Sequence, residues 1–181
     1  GVLGENGAGK STLMKILSGF IQPDSGEILL DDQLVSIANA ADAIKYGIGM
    51  LHQDPLDFPP MRIIDNFILG QHGGLILSHK DAIQAFHKLQ AEFGFSLDPD
   101  TYVETLTVGE RQQLEILRLL CLGARVLILD EPTTGISVQQ KEKLFATLKV
   151  LAKQGKTIIF VSHKLEDVDF LCNRAVVLRK G

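Results

Sequence analysis

One short stretch near the start of the chain limits what the rest can fold into. Residues 4–11 have the sequence GENGAGKS and are followed by Thr12. This sequence fits the pattern G-x-x-x-x-G-K-[ST], the phosphate-binding loop that follows a β-strand and opens a helix. The apolar pair Val2-Leu3 ends such a strand, and the apolar run from Thr12 to Phe20 opens such a helix. The chain is therefore expected to be an α/β protein that holds a phosphorylated ligand.

Each residue type in this loop has a chemical task. Glycines let backbone N–H groups curve around an anion without Cβ clashes. Lys10 supplies a positive charge for the β- and γ-phosphates, and the Ser11 hydroxyl can ligate Mg²⁺. The helix expected to begin near Lys10 points its positive end at the same phosphates. The predicted phosphate-binding residues are Gly4, Glu5, Asn6, Gly7, Ala8, Gly9, Lys10, Ser11 and Thr12. The simpler alternative is a glycine-rich turn that only caps a helix.

Composition and charge narrow the class of protein and its partners. The 181 residues are 45% hydrophobic and 22% charged, which is ordinary for one globular α/β domain. The net charge is −4 and no basic block is present, so no nucleic-acid partner is expected. No apolar run is long enough to span a membrane, and no signal peptide is recognisable. Cys121 and Cys172 fall on apolar faces of predicted helices and are expected to be reduced core residues.

The two ends of the chain suggest a piece of a longer protein. The chain begins at Gly1 without Met, just before the phosphate loop, and stops at Gly181 directly after a predicted strand at 174–178. We therefore expect residues 1–181 to be one domain that is truncated at both ends.

Strand patterns alternate with helix patterns along the chain. Strands are predicted at 27–30, 48–52, 126–129, 157–161 and 174–178, and helices are predicted after the phosphate loop and at 39–46, 78–93, 107–122, 137–154 and 165–171. Gln53, Glu131 and His163 each come just after a predicted strand. This is the site geometry of an open parallel sheet.

Residues 57–105 differ in character from the segments on either side. Pro59-Pro60 opens this region, helical patterns dominate it, and Ser78-x-x-Asp81 resembles the start of a capping box. We predict a helical subdomain at 57–105 inserted between 1–56 and 106–181, the two parts of one α/β core.

Five motifs in register resemble the ATP-binding subunits of ABC transporters over essentially the whole chain. They are GENGAGKST, HQD at 52–54, LTVGERQQLEI at 106–116, VLILDEPT at 126–133 and VSH at 161–163. The resemblance implies a P-loop NTPase fold with a three-layer core, a parallel sheet and an inserted α-helical subdomain. The third motif, which has TVGERQQLEI in place of LSGGQ, is similar to importers of simple sugars and nucleosides. Among those importers, this motif sequence is typical of the first of two ATPase halves on one polypeptide.

The resemblance also assigns roles to residues that follow the strands. Asp130 matches the acid that acts on Mg²⁺ through its water shell, and Glu131 matches the residue that orients or deprotonates the attacking water. Gln53 matches the glutamine that contacts Mg²⁺ and this water, and His163 matches the histidine that reaches the γ-phosphate and helps to hold Glu131. Ser11, Gln53 and Asp130 are the implied metal-site residues. Each residue also has a simpler explanation. Asp130 and Glu131 would be a solvated strand end, Gln53 a loop residue and His163 a surface histidine.

The helix predicted to begin at Thr107 departs most from the family pattern. In the family, the serine and glycines of LSGGQ in one subunit bind the γ-phosphate held by the other. Here Thr107 replaces the serine, Val108 replaces the first glycine, Gly109 is kept and Glu110 replaces the glutamine. The resemblance implies that Thr107 and Gly109 bind nucleotide. The alternative is a well-capped core helix in which Glu110 closes a capping box with Thr107.

The resemblance implies an ATPase that uses ATP and Mg²⁺ at the cytoplasmic face of the membrane, as a peripheral subunit. The implied partners are a second ABC ATPase domain, fused or separate, a transmembrane permease and, indirectly, an extracytoplasmic solute-binding protein. One alternative is a soluble ABC ATPase without a transport role. Another is a regulatory half with weak hydrolysis, because Val108 and the loop at 134–137, TGIS, depart from the family pattern.

Overall fold

The structure, a computed structural model, describes residues 1–69 and 78–181, so that residues 70–77 of the predicted helical insert lie outside the described residues. The strands are β1 (Val2–Leu3), β2 (Ile28–Leu30), β3 (Gln33–Val35), β4 (Ile48–Leu51), β5 (Val126–Asp130), β6 (Thr157–Val161) and β7 (Val176–Val177). The helices are α1 (Lys10–Leu17), α2 (Ala40–Lys45), α3 (Ile63–Ile68), α4 (His79–Phe93), α5 (Val108–Cys121), α6 (Val138–Lys153) and α7 (Leu165–Leu171), with a 3₁₀ turn at Val103–Thr105.

Five strands form one parallel sheet in the order β4-β5-β6-β1-β7. The register pairs Met50 of β4 with Ile128 of β5, and Ile128 with Ile159 of β6. Strands buried on both faces are typical of parallel sheets because helices cover both sides. The predicted open parallel sheet is therefore confirmed.

Apolar side chains cover both faces of this sheet. Leu127 and Leu129 of β5 belong to one buried cluster, whereas Ile128 between them belongs to the other. Successive residues of a strand point to opposite faces, so each cluster fills one side. Met14 of α1 and Ala43 of α2 lie in the Ile128 cluster, and the other five helices contribute to the larger cluster. Helices, sheet and helices thus form the predicted three layers.

Two strand regions differ from the sequence prediction. Strand β2 does not join the main sheet but pairs antiparallel with β3, which the sequence pattern did not reveal. Asp31 and Asp32 form the turn between them with φ values of 52° and 61°, as a two-residue hairpin requires. Neither aspartate is followed by the glycine that usually marks such a turn, and β3 has only three residues. Strand β7 pairs over two residues instead of the predicted five.

Helices α3 and α4 lie between β4 and β5 in the chain, in the region predicted to be helical. Ser78 caps α4 by accepting a hydrogen bond from the Asp81 N–H, and Gly94 ends the helix with φ of 67°. Phe86 is fully buried and meets Phe67 edge-on, with ring centroids 5.1 Å apart. The same buried cluster contains Phe86 and Leu127 of the sheet. Subdomain boundaries at 56 and 106 therefore stay a prediction.

None of the helices in residues 1–69 and 78–181 is long and apolar enough to cross a bilayer.

Charged side chains on α5 hold the segment that follows β4. Arg118 donates to the Leu56 carbonyl at 3.1 Å and pairs with the Glu115 carboxylate at 3.1 Å. Arg111 pairs with Asp57 at 3.4 Å. Burial raises the pKa of Glu115, and the guanidinium of Arg118 offsets part of that rise. Burial likewise raises the pKa of Asp57, against the charge of Arg111. Helix α5 is thus tied to this loop through one partly buried ion pair and one hydrogen bond.

Replacing Glu115 with Gln tests the effect of burial on this carboxyl. A raised pKa in the folded state means that the stabilising contribution is present at acidic pH and is lost as the pH rises through the folded pKa. We therefore expect the free energy of unfolding of the wild type, relative to Glu115→Gln, to increase as the pH is lowered from about 7.5 to about 4.5. Urea unfolding at both pH values measures this difference. The exposed Glu142→Gln is the control, and an equal trend there would contradict the assignment to burial.

Candidate active site

A cleft of about 540 Å³ lies where the loops that follow β1, β4, β5 and β6 meet. The side chains and backbone that line it come from all four loops. They are Asn6, Gly7, Ala8, Gly9, Lys10, Ser11, Thr12, Gln53, Glu131, Thr134 and His163. The structure thus brings together most of the residues that the motifs singled out. Thr134 was not predicted as a site residue, although its position in the loop after Glu131 could have indicated that it lines the cleft.

The phosphate loop folds as its glycines require. Gly7 and Gly9 have φ values of 80° and 96°, a conformation that favours glycine. A Cβ atom at Gly4 would lie 2.5 Å from the Leu178 carbonyl oxygen, so the loop needs glycine there for close packing. Gly9 is the N-cap of α1, and the first backbone N–H groups of that helix therefore face the cleft side of the loop. Gly4 and Glu5 start the loop but do not line the cleft.

Lys10 is buried, with 7% of its surface exposed, and its ammonium group lies against the loop. Nζ donates hydrogen bonds to the Gly4 carbonyl at 2.8 Å and to the Glu5 carbonyl at 3.2 Å. These bonds join the start of the loop to the first turn of α1. They also hold the positive charge at the floor of the cleft, where it can neutralise a phosphate.

Two carboxylates end β5 in different environments. Asp130 is 4% exposed, and its Oδ1 atom has no hydrogen-bond partner within the part of the chain that the structure describes. Glu131 has φ of 51°, which is uncommon for a residue other than glycine. Such a backbone conformation costs roughly 1–3 kcal/mol and persists only where its surroundings enforce it. The Glu131 N–H donates to the Val161 carbonyl at 3.0 Å, which anchors this turn to β6.

The carboxylate of Glu131 contacts the ring of His163. Oε2 of Glu131 lies 2.8 Å from Nδ1 of His163, although the two residues are 32 positions apart. The glutamate side chain is 14% exposed and the histidine 52% exposed, so the pair sits at the mouth of the cleft. The sequence predicted both residues separately and, through the family resemblance, their association. The geometry is that of a carboxylate whose orientation is set by an imidazole.

Gln53 reaches the cleft from the end of β4, and its neighbour His52 is turned inward. Nε2 of His52 is buried without a hydrogen-bond partner among the described residues, and its ring packs edge-on against Phe20 with centroids 4.5 Å apart. Burial lowers the pKa of His52, the charge of Lys15 lowers it further, and Asp130 opposes both. The lowered pKa favours the uncharged form of His52, whose ring packs against Phe20.

Thr107 and Gly109 do not line the cleft that holds the other predicted residues. Thr107 caps α5 in a complete capping box with Glu110 and accepts a hydrogen bond from Gln140 Nε2 at 3.0 Å. A Cβ atom at Gly109 would lie 2.9 Å from the Gln140 side chain, which would then have to shift. The well-capped helix is therefore present in the structure. A role of Thr107 and Gly109 toward nucleotide stays a prediction.

Comparison with known proteins decides the family. The sequence model of the ABC transporter family matches residues 1–134, about three quarters of the chain. The chain belongs to the ABC transporter family. An ABC ATPase domain binds ATP, and the cleft described above is where this chain presents the phosphate loop of that family.

Curated relatives of this ABC domain are named as import proteins. The ribose import ATP-binding protein RbsA of Caldanaerobacter subterraneus is 41% identical over 183 residues, covering 99% of this chain and 37% of that protein. The nucleoside import ATP-binding protein NupA of Lactococcus lactis is 39% identical over 182 residues, covering 99% of this chain and 36% of that protein. The chain thus spans little more than a third of the length of these relatives.

A solved structure confirms the predicted fold. The crystal structure of a nucleotide-free ATP-binding cassette from an ABC transporter has a TM-score of 0.88 to this chain. The match covers 99% of this chain and 76% of that one, at 22% identity. The α/β P-loop NTPase fold expected from the sequence is therefore shown.

Removing the buried ammonium group should weaken nucleotide binding. We expect Lys10→Ala to lower ATP affinity by roughly 10- to 100-fold, because hydrogen bonds to charged groups contribute about 1.5–3 kcal/mol. Titration calorimetry with ATP measures the change. Lys15→Ala is the matched control, since Lys15 is an exposed lysine in the last turn of the same helix. An equal loss of affinity in both variants would contradict a specific role for Lys10.

Proposed function

We propose that this ABC domain binds and hydrolyses ATP to drive the import of a simple sugar or a nucleoside through a separate membrane permease. The observation that carries the hydrolytic part is the 2.8 Å contact between Glu131 and His163 at the mouth of the cleft that the phosphate loop lines. The names of the relatives, which import ribose and nucleosides, support the transport part.

Phosphate binding is assigned to the loop after β1. The N–H groups of residues 7–12 and the start of α1 surround the β- and γ-phosphates, and Lys10 neutralises their charge. The hydrogen bond to the Gly4 carbonyl at 2.8 Å already holds the ammonium group beside the phosphate loop before nucleotide binds. Preformed donors of this kind need little reorganisation as charge develops in the reaction.

The residues present fit a magnesium ion bound together with the nucleotide. Ser11 and Gln53 line the cleft, whereas Asp130 is buried at the end of β5 and does not line it. All three residues offer oxygen atoms, which Mg²⁺ prefers, and the Oδ1 of Asp130 has no hydrogen-bond partner among the described residues. No group of three or more His, Cys, Asp or Glu side chains in residues 1–69 and 78–181 could hold a metal by itself. A site of this composition depends on phosphate oxygens for its remaining ligands. The ion neutralises charge on the β- and γ-phosphates when bound.

Water activation is assigned to Glu131. His163 contacts Oε2, which leaves Oε1 to orient the attacking water or to take its proton. The constrained backbone at Glu131 and its N–H bond to β6 restrain the residue, which lines the cleft. Gln53 faces the same space from β4 and orients the water from the other side. Hydrolysis then depends on positioning and charge neutralisation, with no covalent intermediate.

A second ABC ATPase domain, fused or separate, is proposed to complete the site. The capped start of α5 lies away from the cleft of its own chain, so Thr107 and Gly109 can reach a γ-phosphate only on another domain. Val108 at this helix start is 41% exposed, which leaves the surface around Thr107 accessible. Two nucleotides would lie between two domains, each phosphate loop facing the other domain's α5. The whole assembly is expected at the cytoplasmic face of the membrane, with the permease and, indirectly, a solute-binding protein.

Replacing the general base tests the hydrolytic assignment. We expect Glu131→Gln to lower kcat for ATP hydrolysis by about 10²- to 10⁴-fold, because general-base catalysis contributes that much, while ATP binding persists and a closed dimer accumulates. Phosphate release, ATP titration and sedimentation velocity measure the three effects in the full-length protein. Glu142→Gln on the exposed face of α6 is the control. Unchanged hydrolysis in Glu131→Gln would remove Glu131 from its role.

A second experiment separates the transport proposal from the two alternatives. The protein purified from gently solubilised membranes is expected to carry a transmembrane permease with it. Sedimentation with ribosomes or nucleic acid instead would favour an ABC ATPase without a transport role. Single-turnover hydrolysis by the full-length protein decides the remaining alternative, since a regulatory half would bind ATP and release no phosphate.

A further inference from the structure

A buried hydrogen bond links the two loops that carry Glu131 and His163. The Thr133 hydroxyl donates to Oδ2 of Asp167 at 2.8 Å. Thr133 is 4% exposed and Asp167 is 1% exposed. Thr133 lies two residues after Glu131, in the loop that leaves β5. Asp167 lies four residues after His163, in the first turn of α7. The bond therefore connects the loop that carries Glu131 with the first turn of the helix that follows His163.

Two side chains hold the carboxylate of Asp167, and a carbonyl group holds its backbone. Lys141 of α6 forms an ion pair with Oδ1, Thr133 binds Oδ2, and the Asp167 N–H donates to the Lys164 carbonyl at 3.2 Å. An ionised carboxylate in an apolar interior is costly unless charge and hydrogen bonds offset its desolvation. Lys141 supplies the charge beside Oδ1 and Thr133 the hydrogen bond to Oδ2, while Oδ1 has no hydrogen-bond partner among the described residues. The side chain is thereby restricted to one orientation, which in turn fixes the Thr133 hydroxyl.

The loop after β5 needs restraint from outside because Glu131 is in a strained conformation. Its backbone has φ of 51°, and a residue other than glycine stays there only where neighbouring contacts enforce it. On one side Gln112 of α5 donates to the Pro132 carbonyl at 2.8 Å. On the other side Asp167 binds Thr133. These two buried contacts clamp the residues directly after Glu131.

We propose that Asp167, acting through Thr133, is a positioning residue that sets the Glu131–His163 contact for hydrolysis. The proposal rests on the proposed function, in which this pair orients the attacking water. An apolar pair of similar volume would also fill the space between the loops. Such an apolar pair would not fix the orientation of the residue 133 side chain, whereas a hydrogen bond from Thr133 to an ion-paired carboxylate does. Release of the bond lets the Glu131 loop relax and turns its carboxylate away from His163.

The test replaces the hydroxyl of Thr133 by a methyl group in the full-length protein. We expect Thr133→Val to lower kcat for ATP hydrolysis by about 10- to 100-fold, the usual cost of a misplaced catalytic group, with the ATP affinity unchanged. Thr133→Ser, which restores a hydroxyl, should recover most of the rate. Asp167→Asn, which keeps an oxygen acceptor but loses the ion pair with Lys141, should give a smaller loss than Thr133→Val.

Thr147→Val is the matched control. Thr147 is also 4% exposed, and its hydroxyl donates to the Lys143 carbonyl within α6, away from the cleft. We expect it to keep the wild-type kcat at a melting temperature close to that of Thr133→Val. Equal losses of kcat in the two valine variants would overturn the proposal, because general destabilisation would then explain both. A wild-type kcat in Thr133→Val would also overturn it.

NMR chemical shifts can follow the Glu131–His163 contact without a measurement of activity. The ring ¹⁵N chemical shifts of His163 report the contact of Nδ1 with Glu131. We expect these shifts to change in Thr133→Val and to stay at the wild-type values in Thr147→Val. Unchanged shifts in Thr133→Val would overturn the positioning role. If Glu131→Gln kept full hydrolysis, the proposed function would fail, while the shift comparison would still decide whether Thr133 and Asp167 set the pair.

Discussion

The parallel hydrogen-bond ladder of β4, β5 and β6 is the constraint on which the site depends. It pairs Leu51 with Leu129, and Asp130 with Val161. The three strands therefore end at the same level of the sheet, and the next residues of each leave at one edge. A shift of one residue in this register would turn every side chain to the other face. Gln53, Glu131 and His163 come together because the ladder is continuous through strands that are buried on both faces.

A second constraint acts on the turns beyond the ladder. Glu131 adopts a backbone conformation that its own side chain disfavours, and the surrounding fold offsets that cost. Bonds from β6, α5 and α7 converge on residues 131–133. All of these partners are buried or backbone groups, which lose more on separation than exposed groups do. The Glu131 carboxylate is thus carried by a turn that is restrained from three elements.

Helix α5 connects this turn with the loop after β4. Gln112 binds the Pro132 carbonyl, while Arg118 binds the Leu56 carbonyl three residues after Gln53. The start of the same helix lies outside the cleft, capped by its own Glu110 and by Gln140 of α6. A displacement of the loop at Leu56 would therefore be carried to the capped helix start and to the residues next to Glu131. This arrangement is compatible with the proposed site, in which a second domain supplies the remaining contacts.

The sequence by itself determined the order of most strands and helices, with β3 and α3 as the exceptions, and most helix ends. Capping residues and terminal glycines act locally, so Asn39, Ser78, Thr107 and Ser137 marked helix starts that the structure confirms. Strand β3, the hairpin partner of β2, was not predicted because three residues are too few to show an alternation of apolar and polar side chains. Only the tertiary structure decided which distant groups touch, such as Thr133 with Asp167, 34 residues apart, and that Thr107 lies apart from the cleft. Such contacts depend on how crossover helices pack on the sheet, and the spacing of residue types along the chain does not encode that packing.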